Sequence, residues 1–113
     1  MHELSLAMNV VNIAEREIAK AKASKATSIT LEIGECAGVE KSAFKFAWSI
    51  AVKGTSLEEA ERIIEAVEGK AICQECNEEF ALYRLYDPCP NCGAYARDIF
   101  QGKEFRVKSL TVI

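Results

Sequence analysis

The chain has 113 residues, enough for one modest domain or for a smaller one carrying an appended module. Its formal net charge of −3 offers no attraction to phosphate backbones or anionic membranes, so neither nucleic acid nor a lipid surface is an expected partner. Its apolar runs are far too short for a membrane span, and no apolar signal segment opens it, which makes a cytoplasmic protein the expectation.

In chain order, residues 4 to about 24 read as a helix. Leu4, Met8, Val11 and Ile18 recur at helical spacing, with Val10 and Ile13 widening the stripe. Residues 27–33 alternate, with Ile29, Leu31 and Ile33 on one face and Ser28, Thr30 and Glu32 on the other, the pattern of a half-buried strand. A turn follows at Gly34 to Gly38. A second helix is expected from about Glu40 to Lys53, with a stripe of Ala43, Phe46, Ala47 and Ile50 flanked by Phe44, Trp48 and Ala51, and with Gly54 as terminator. Ser56 and Glu59 have capping-box spacing for one short turn, and Thr55 serves equally well. Residues 62–69 read as a strand, and the tail from Glu104 to Ile113 as another whose alternation slips near Lys108. The fold class is therefore α/β (α+β): two helices on one face of a three-stranded sheet, with the two late strands as neighbours. Residues 1–69 plus 104–113 form this domain, and 70–103 an inserted module. Within the insert, Phe80, Leu82 and Tyr83, then Tyr95, Ile99 and Phe100, suggest short ribbon strands.

The insert carries Cys73-Gln-Glu-Cys76 and Cys89-Pro-Asn-Cys92, separated by twelve residues. Two sulfurs from one tight turn reach the same ion, and a hairpin of this length brings the second pair back onto the first. Pro90 restricts the second turn, and Gly93 can take positive φ directly after the last sulfur. Four protein ligands close the site, so the metal is structural rather than catalytic. Zinc is the default ion. Iron is the second choice, because Cys-Pro-Asn-Cys-Gly also resembles a rubredoxin knuckle and tetrahedral sulfur does not separate the two. The fifth cysteine, Cys36, reads as a small packed residue.

Met1-His2-Glu3 is the second chemical signal. A histidine at position 2 lets Nδ1 chelate together with the amine of Met1 and its own amide nitrogen through fused five- and six-membered rings. Those three nitrogens lie in one plane, which suits Ni(II) or Cu(II) once the amide loses its proton. The fourth position stays open to the Glu3 carboxylate, water or a ligand from another protein. Because every donor can be protonated, such a site releases its ion, as a carrier requires.

Together, Met1-His2-Glu3-Leu4-Ser5-Leu6-Ala7, the two cysteine knuckles, Ile33-Gly34-Glu35, Phe46-Ala47-Trp48, Gly54-Thr55 and the Glu104–Leu110 tail resemble the HypA/HybF family of nickel-insertion accessory proteins. The resemblance covers essentially the whole chain. It implies a non-catalytic Ni(II) carrier with nickel at Met1, His2 and Glu3, and structural Zn(II) at Cys73, Cys76, Cys89 and Cys92. It also implies a GTPase partner, HypB, and handover to the [NiFe]-hydrogenase large-subunit precursor, with urease maturation proteins as further partners of some relatives. His2 is the only histidine, so a relative's second imidazole ligand cannot be carried over. Two rivals are a rubredoxin-like carrier and a nucleic-acid-binding zinc ribbon. The second is disfavoured by the insert's four basic residues (Lys70, Arg84, Arg97, Lys103) against five acidic ones (Glu75, Glu78, Glu79, Asp87, Asp98).

Overall fold

The computed structural model describes residues 2–113. Its elements are α1 (Glu3–Lys20), β1 (Ala26–Gly34), α2 (Lys41–Ala51), β2 (Glu61–Val67), β3 (Lys70–Cys73), β4 (Glu79–Ala81), β5 (Arg97–Gln101) and β6 (Phe105–Val112). Two three-stranded sheets form, ordered β2-β1-β6 and β4-β3-β5, an α+β architecture. Two compact units result. The first comprises residues up to Leu31, Val39–Glu65 and Arg106–Ile113; the second comprises Glu32–Gly38 and Ala66–Phe105.

In the first unit, α1 buries Ala7, Val10, Val11, Ala14 and Ile18. The expected stripe is corrected here, because Leu4, Met8 and Ile13 are exposed. α1 packs on α2, and a buried stripe built on two alanines lets helix backbones approach closely. The helix also stops earlier than residue 24. Lys22 takes φ 55°, and Ala23 N–H reaches back to the Ile18 carbonyl at 3.1 Å, a left-handed C-terminal stop. In α2 the buried residues are Phe44, Ala47 and Trp48, with the two rings 6.1 Å apart. Phe46, expected in the core, is 69 % exposed, and Ile50 is exposed as well. After α2, Thr55 rather than Ser56 caps the short turn: Thr55 Oγ1 accepts Leu57 N–H at 3.2 Å, while Ser56 is held through its own N–H by Glu15 at 2.7 Å.

β1 is the central strand of its sheet, flanked by β2 and β6. The expectation that the two late strands pair with each other is therefore overturned. The reason is visible in burial: Ile29, Leu31 and Ile33 are buried as their alternation predicts, and Thr30 on the opposite face is buried too. A strand covered on both faces belongs in the middle. The alternation of β6 slips at Lys108–Ser109, as read from the sequence.

In the second unit, β3 pairs antiparallel with β4 and with β5, with a register irregularity at Lys70–Ala71. Cys36, Ala71, Cys73, Phe80, Leu82 and Cys89 form its small core, with Ile99 packed against it. Tyr83 and Tyr95 lie outside the strands and are exposed, as is Phe100 in β5, so three of the six expected ribbon residues do not contribute to this core. The segment after β1 is stitched into the unit by three backbone bonds. Gly34 N–H reaches the Glu104 carbonyl at 2.7 Å, Cys36 N–H the Gly102 carbonyl at 2.7 Å, and Glu35 N–H the Val67 carbonyl at 2.9 Å.

Candidate metal centre

Two turns of the same design bring the four cysteines together. In the first, Cys73 N–H donates to the Glu78 carbonyl at 2.9 Å and Asn77 N–H to the Cys73 carbonyl at 2.9 Å. In the second, Cys89 N–H donates to the Ala94 carbonyl at 2.8 Å and Gly93 N–H to the Cys89 carbonyl at 2.8 Å. The residue after each second cysteine is left-handed, Asn77 at φ 61° and Gly93 at φ 79°. Glycine pays no steric cost there, and asparagine is among the side chains that tolerate it best. This conformation turns the chain back so that both sulfurs of a knuckle face one point.

All four Sγ atoms lie within 4.8 Å of one another. Cys73 and Cys92 sulfurs are 3.5 Å apart, and those of Cys76 and Cys89 are 3.7 Å apart. Zn–S bonds of about 2.3 Å put tetrahedral sulfurs about 3.8 Å apart, whereas a disulfide needs about 2.0 Å. The thiols are free, and their spacing fits a shared divalent ion. Zinc bound there would cross-link the two knuckles.

The thiols also divide electrostatically. Hydrogen bonds from the Asn91 side chain and the Glu78 amide bring the Cys76 thiol down to about 7. The Ala94 amide favours the Cys92 thiolate, but hydrogen bonding with Cys73, burial and the sulfurs of Cys76 and Cys89 outweigh it and push that thiol up to about 12. Four thiolates in so small a space repel one another, and a cation at their centre removes the conflict. Cys36 stands apart. It is buried, its thiol donates to the Leu82 carbonyl at 3.6 Å, and burial with Glu35 nearby raises its pKa, as suits an inert packed cysteine.

At the other candidate site, His2 is the N-cap of α1 and is exposed; its side chain makes no cap bond, so the imidazole is open to a ligand. Its carbonyl accepts Leu6 N–H at 3.1 Å. Glu3 is the first helical residue, and its Oε2 accepts Glu40 N–H at 3.4 Å. Glu40 in turn caps α2, its carboxylate accepting Ser42 N–H at 3.2 Å, the Ser42 hydroxyl at 2.7 Å and Ala43 N–H at 2.6 Å. Met1, the remaining expected nickel donor, lies outside the described residues.

With both sites described, the comparisons decide the family. The family model described as "Hydrogenase/urease nickel incorporation, metallochaperone, hypA" matches residues 1–112. The chain belongs to the HypA family. It is 41% identical over 112 residues to hydrogenase maturation factor HypA of Parabacteroides distasonis, covering 99% of this chain and 97% of that protein. It is 42% identical over 113 residues to the protein of the same name from Geotalea daltonii, covering all of both. Among solved structures, the solution structure of the Ni metallochaperone HypA from Helicobacter pylori matches with a TM-score of 0.70 at 27% identity, covering 100% of this chain and 98% of that one.

Within this HypA-family chain, sequence reasoning missed several residues around the cysteines. Asn77 supplies the first left-handed turn, and an asparagine directly after a C-x-x-C was the available signal. Asn91 Nδ2 donates to Cys76 Sγ at 3.5 Å, and Gln74 Nε2 to Asp98 Oδ1 at 3.0 Å. The Arg97 guanidinium donates to the carbonyls of Asp87 and Leu85, fixing the loop between β4 and the second knuckle. None of these three side-chain links has a sequence signature, because each bridges segments that only the fold brings together.

Proposed function

We propose that this protein is a non-catalytic cytoplasmic nickel carrier that delivers Ni(II) to the [NiFe]-hydrogenase large-subunit precursor. Handover would occur with the GTPase HypB as partner, and urease maturation proteins are further candidate recipients. Membership of the HypA family over the whole chain is the observation that carries this reading. The division of labour follows the two signals in the sequence. The domain of residues 1–69 plus 104–113 carries nickel, and the insert 70–103 holds zinc at Cys73, Cys76, Cys89 and Cys92.

The nickel donors in this reading are the Met1 amine, the His2 amide and imidazole, and Glu3. Local geometry supports it. The first N–H groups of any helix lack intrahelical acceptors, so the amides of His2 and Glu3 are free to lose a proton to a coordinated ion. The positive end of the α1 dipole eases that deprotonation while weakening the hold on a cation. A site with both properties binds with square-planar selectivity and lets go. No helix among the described residues is long and apolar enough to cross a membrane.

The test is nickel titration of protein with a free amino end beside protein whose Met1 amine has been acetylated. Acetylation turns the amine into an amide without creating a new chelating terminus. Loss of the square-planar absorption band supports the amine as donor, and unchanged binding rejects it.

A further inference from the structure

The four sulfurs of the cysteine centre are unequal. Cys73 and Cys89, the first cysteine of each knuckle, are 0 % and 1 % exposed. The second cysteines face outward, with Cys76 half-buried and Cys92 exposed. Solvent, chelators and electrophiles therefore meet the metal at two sulfurs only. One of these carries a side-chain donor: Asn91 Nδ2 reaches Cys76 Sγ at 3.5 Å. Asn91 sits beside Cys92 in the second knuckle, whereas Cys76 ends the first. This bond thus links the knuckles through side chains, which the backbone bonds inside each turn cannot do.

We propose that Asn91 is a positioning residue of the zinc centre. It anchors Cys76 and leaves Cys92 as the ligand that opens first when zinc exchanges. The physical argument has two parts. A hydrogen bond to a metal-bound thiolate draws charge from sulfur, which lowers its nucleophilicity and its tendency to be protonated off the metal. A bond across the knuckles also resists the separation that zinc loss requires, because the insert has too small a core to hold its shape unaided. Cys92 is exposed and its sulfur meets the neighbouring Cys73 sulfur at 3.5 Å, while the Asn91 amide is committed to Cys76, so Cys92 takes the role of exit ligand.

This inference rests on the zinc reading above, so metal analysis of the full chain comes first. One zinc per chain is required, and its absence would overturn both ideas. With zinc present, the loaded protein is treated with substoichiometric iodoacetamide and the alkylated cysteine is mapped by mass spectrometry. Sulfur displaces iodide and forms a new S–C bond, so the first label marks the most available thiolate. The expected order is Cys92 first and Cys76 well behind. In Asn91→Ala, Cys76 should label as readily as Cys92, and zinc transfer to a chromogenic chelator should quicken about tenfold or more. The sulfur-to-metal charge-transfer band of the cobalt-loaded protein should also shift, and Asn91→Gln should restore part of each effect. Labelling of Cys76 first or equally in the parent protein would overturn the proposal without any variant. So would an Asn91→Ala protein with one zinc and unchanged labelling, rate and spectrum.

Discussion

Gly34 ends β1 where the chain enters the cysteine-bearing unit, and it gives the sharpest test of the packing there. A Cβ at this position would lie 1.9 Å from the Gly102 carbonyl oxygen, 2.1 Å from its carbon and 2.7 Å from Lys103 nitrogen. All three are backbone atoms, so no side chain can swing aside. Gly34 is not left-handed, so Gly34→Ala adds steric conflict alone, without backbone strain. Restoring ordinary contact distances of about 3.5 Å moves one backbone segment by more than about 1 Å. The Gly102 carbonyl accepts Cys36 N–H and the Gly34 N–H reaches the Glu104 carbonyl, each at 2.7 Å, so both bonds are at risk. Two weakened bonds cost about 1 kcal/mol each, and overpacking adds about 1–3 kcal/mol. The expected loss is about 3–5 kcal/mol. At about 4 °C per kcal/mol for a chain of this size, Tm should fall by about 12 °C or more. Thermal unfolding of the zinc-loaded protein followed by circular dichroism measures it. A Tm within about 2 °C of the parent would refute the close approach of these strands.

Three further outcomes follow. Cys73→Ala should abolish stoichiometric zinc and unfold the insert, seen as loss of amide-exchange protection in residues 70–103 with the helices still protected. Zinc affinity should rise by at least about one decade per pH unit between about pH 6 and 8. The metal-free Cys92 thiol, pushed up to about 12, stays protonated across that range and must release a proton on binding; a competitive chelator titration reads the slope. The Ser42 hydroxyl and the Ala43 and Ser42 amides hold the Glu40 carboxyl below its ordinary value. Its stabilising effect is therefore complete above the unfolded value of about 4.3 and is lost as pH falls through the lower folded value. Glu40→Gln should flatten the acid limb of the stability curve and leave neutral-pH zinc content unchanged.

The cysteine centre was legible in the sequence because its geometry is local. A C-x-x-C turn presents two sulfurs wherever it is embedded, and the spacer needed only to close a hairpin. The helices and β1 were legible for a similar reason, since period and phase are properties of short segments. Faces and neighbours were not. α1 has more apolar residues than one stripe can hold, and bulk favoured Leu4 and Met8. The structure instead buries Ala7 and Ala14, small residues whose value lies in letting another helix come close. Phe46 lost its expected place to Phe44 in the same way. The strand order turned on β1, whose buried Thr30 marks cover on both faces. A buried threonine looks the same in sequence as an exposed one. The role of Asn91 was not legible because its partner, Cys76, lies fifteen residues away on the other knuckle and is brought to it only by the fold.

The most direct test of the account is calorimetric titration of nickel into the untagged, zinc-loaded protein, run side by side with His2→Ala. The account predicts one nickel per chain with a square-planar absorption band in the parent. In the variant it predicts no specific uptake, with zinc content and helicity unchanged. Stoichiometric nickel retained by His2→Ala would contradict it, because the cargo would then be held somewhere other than the start of α1.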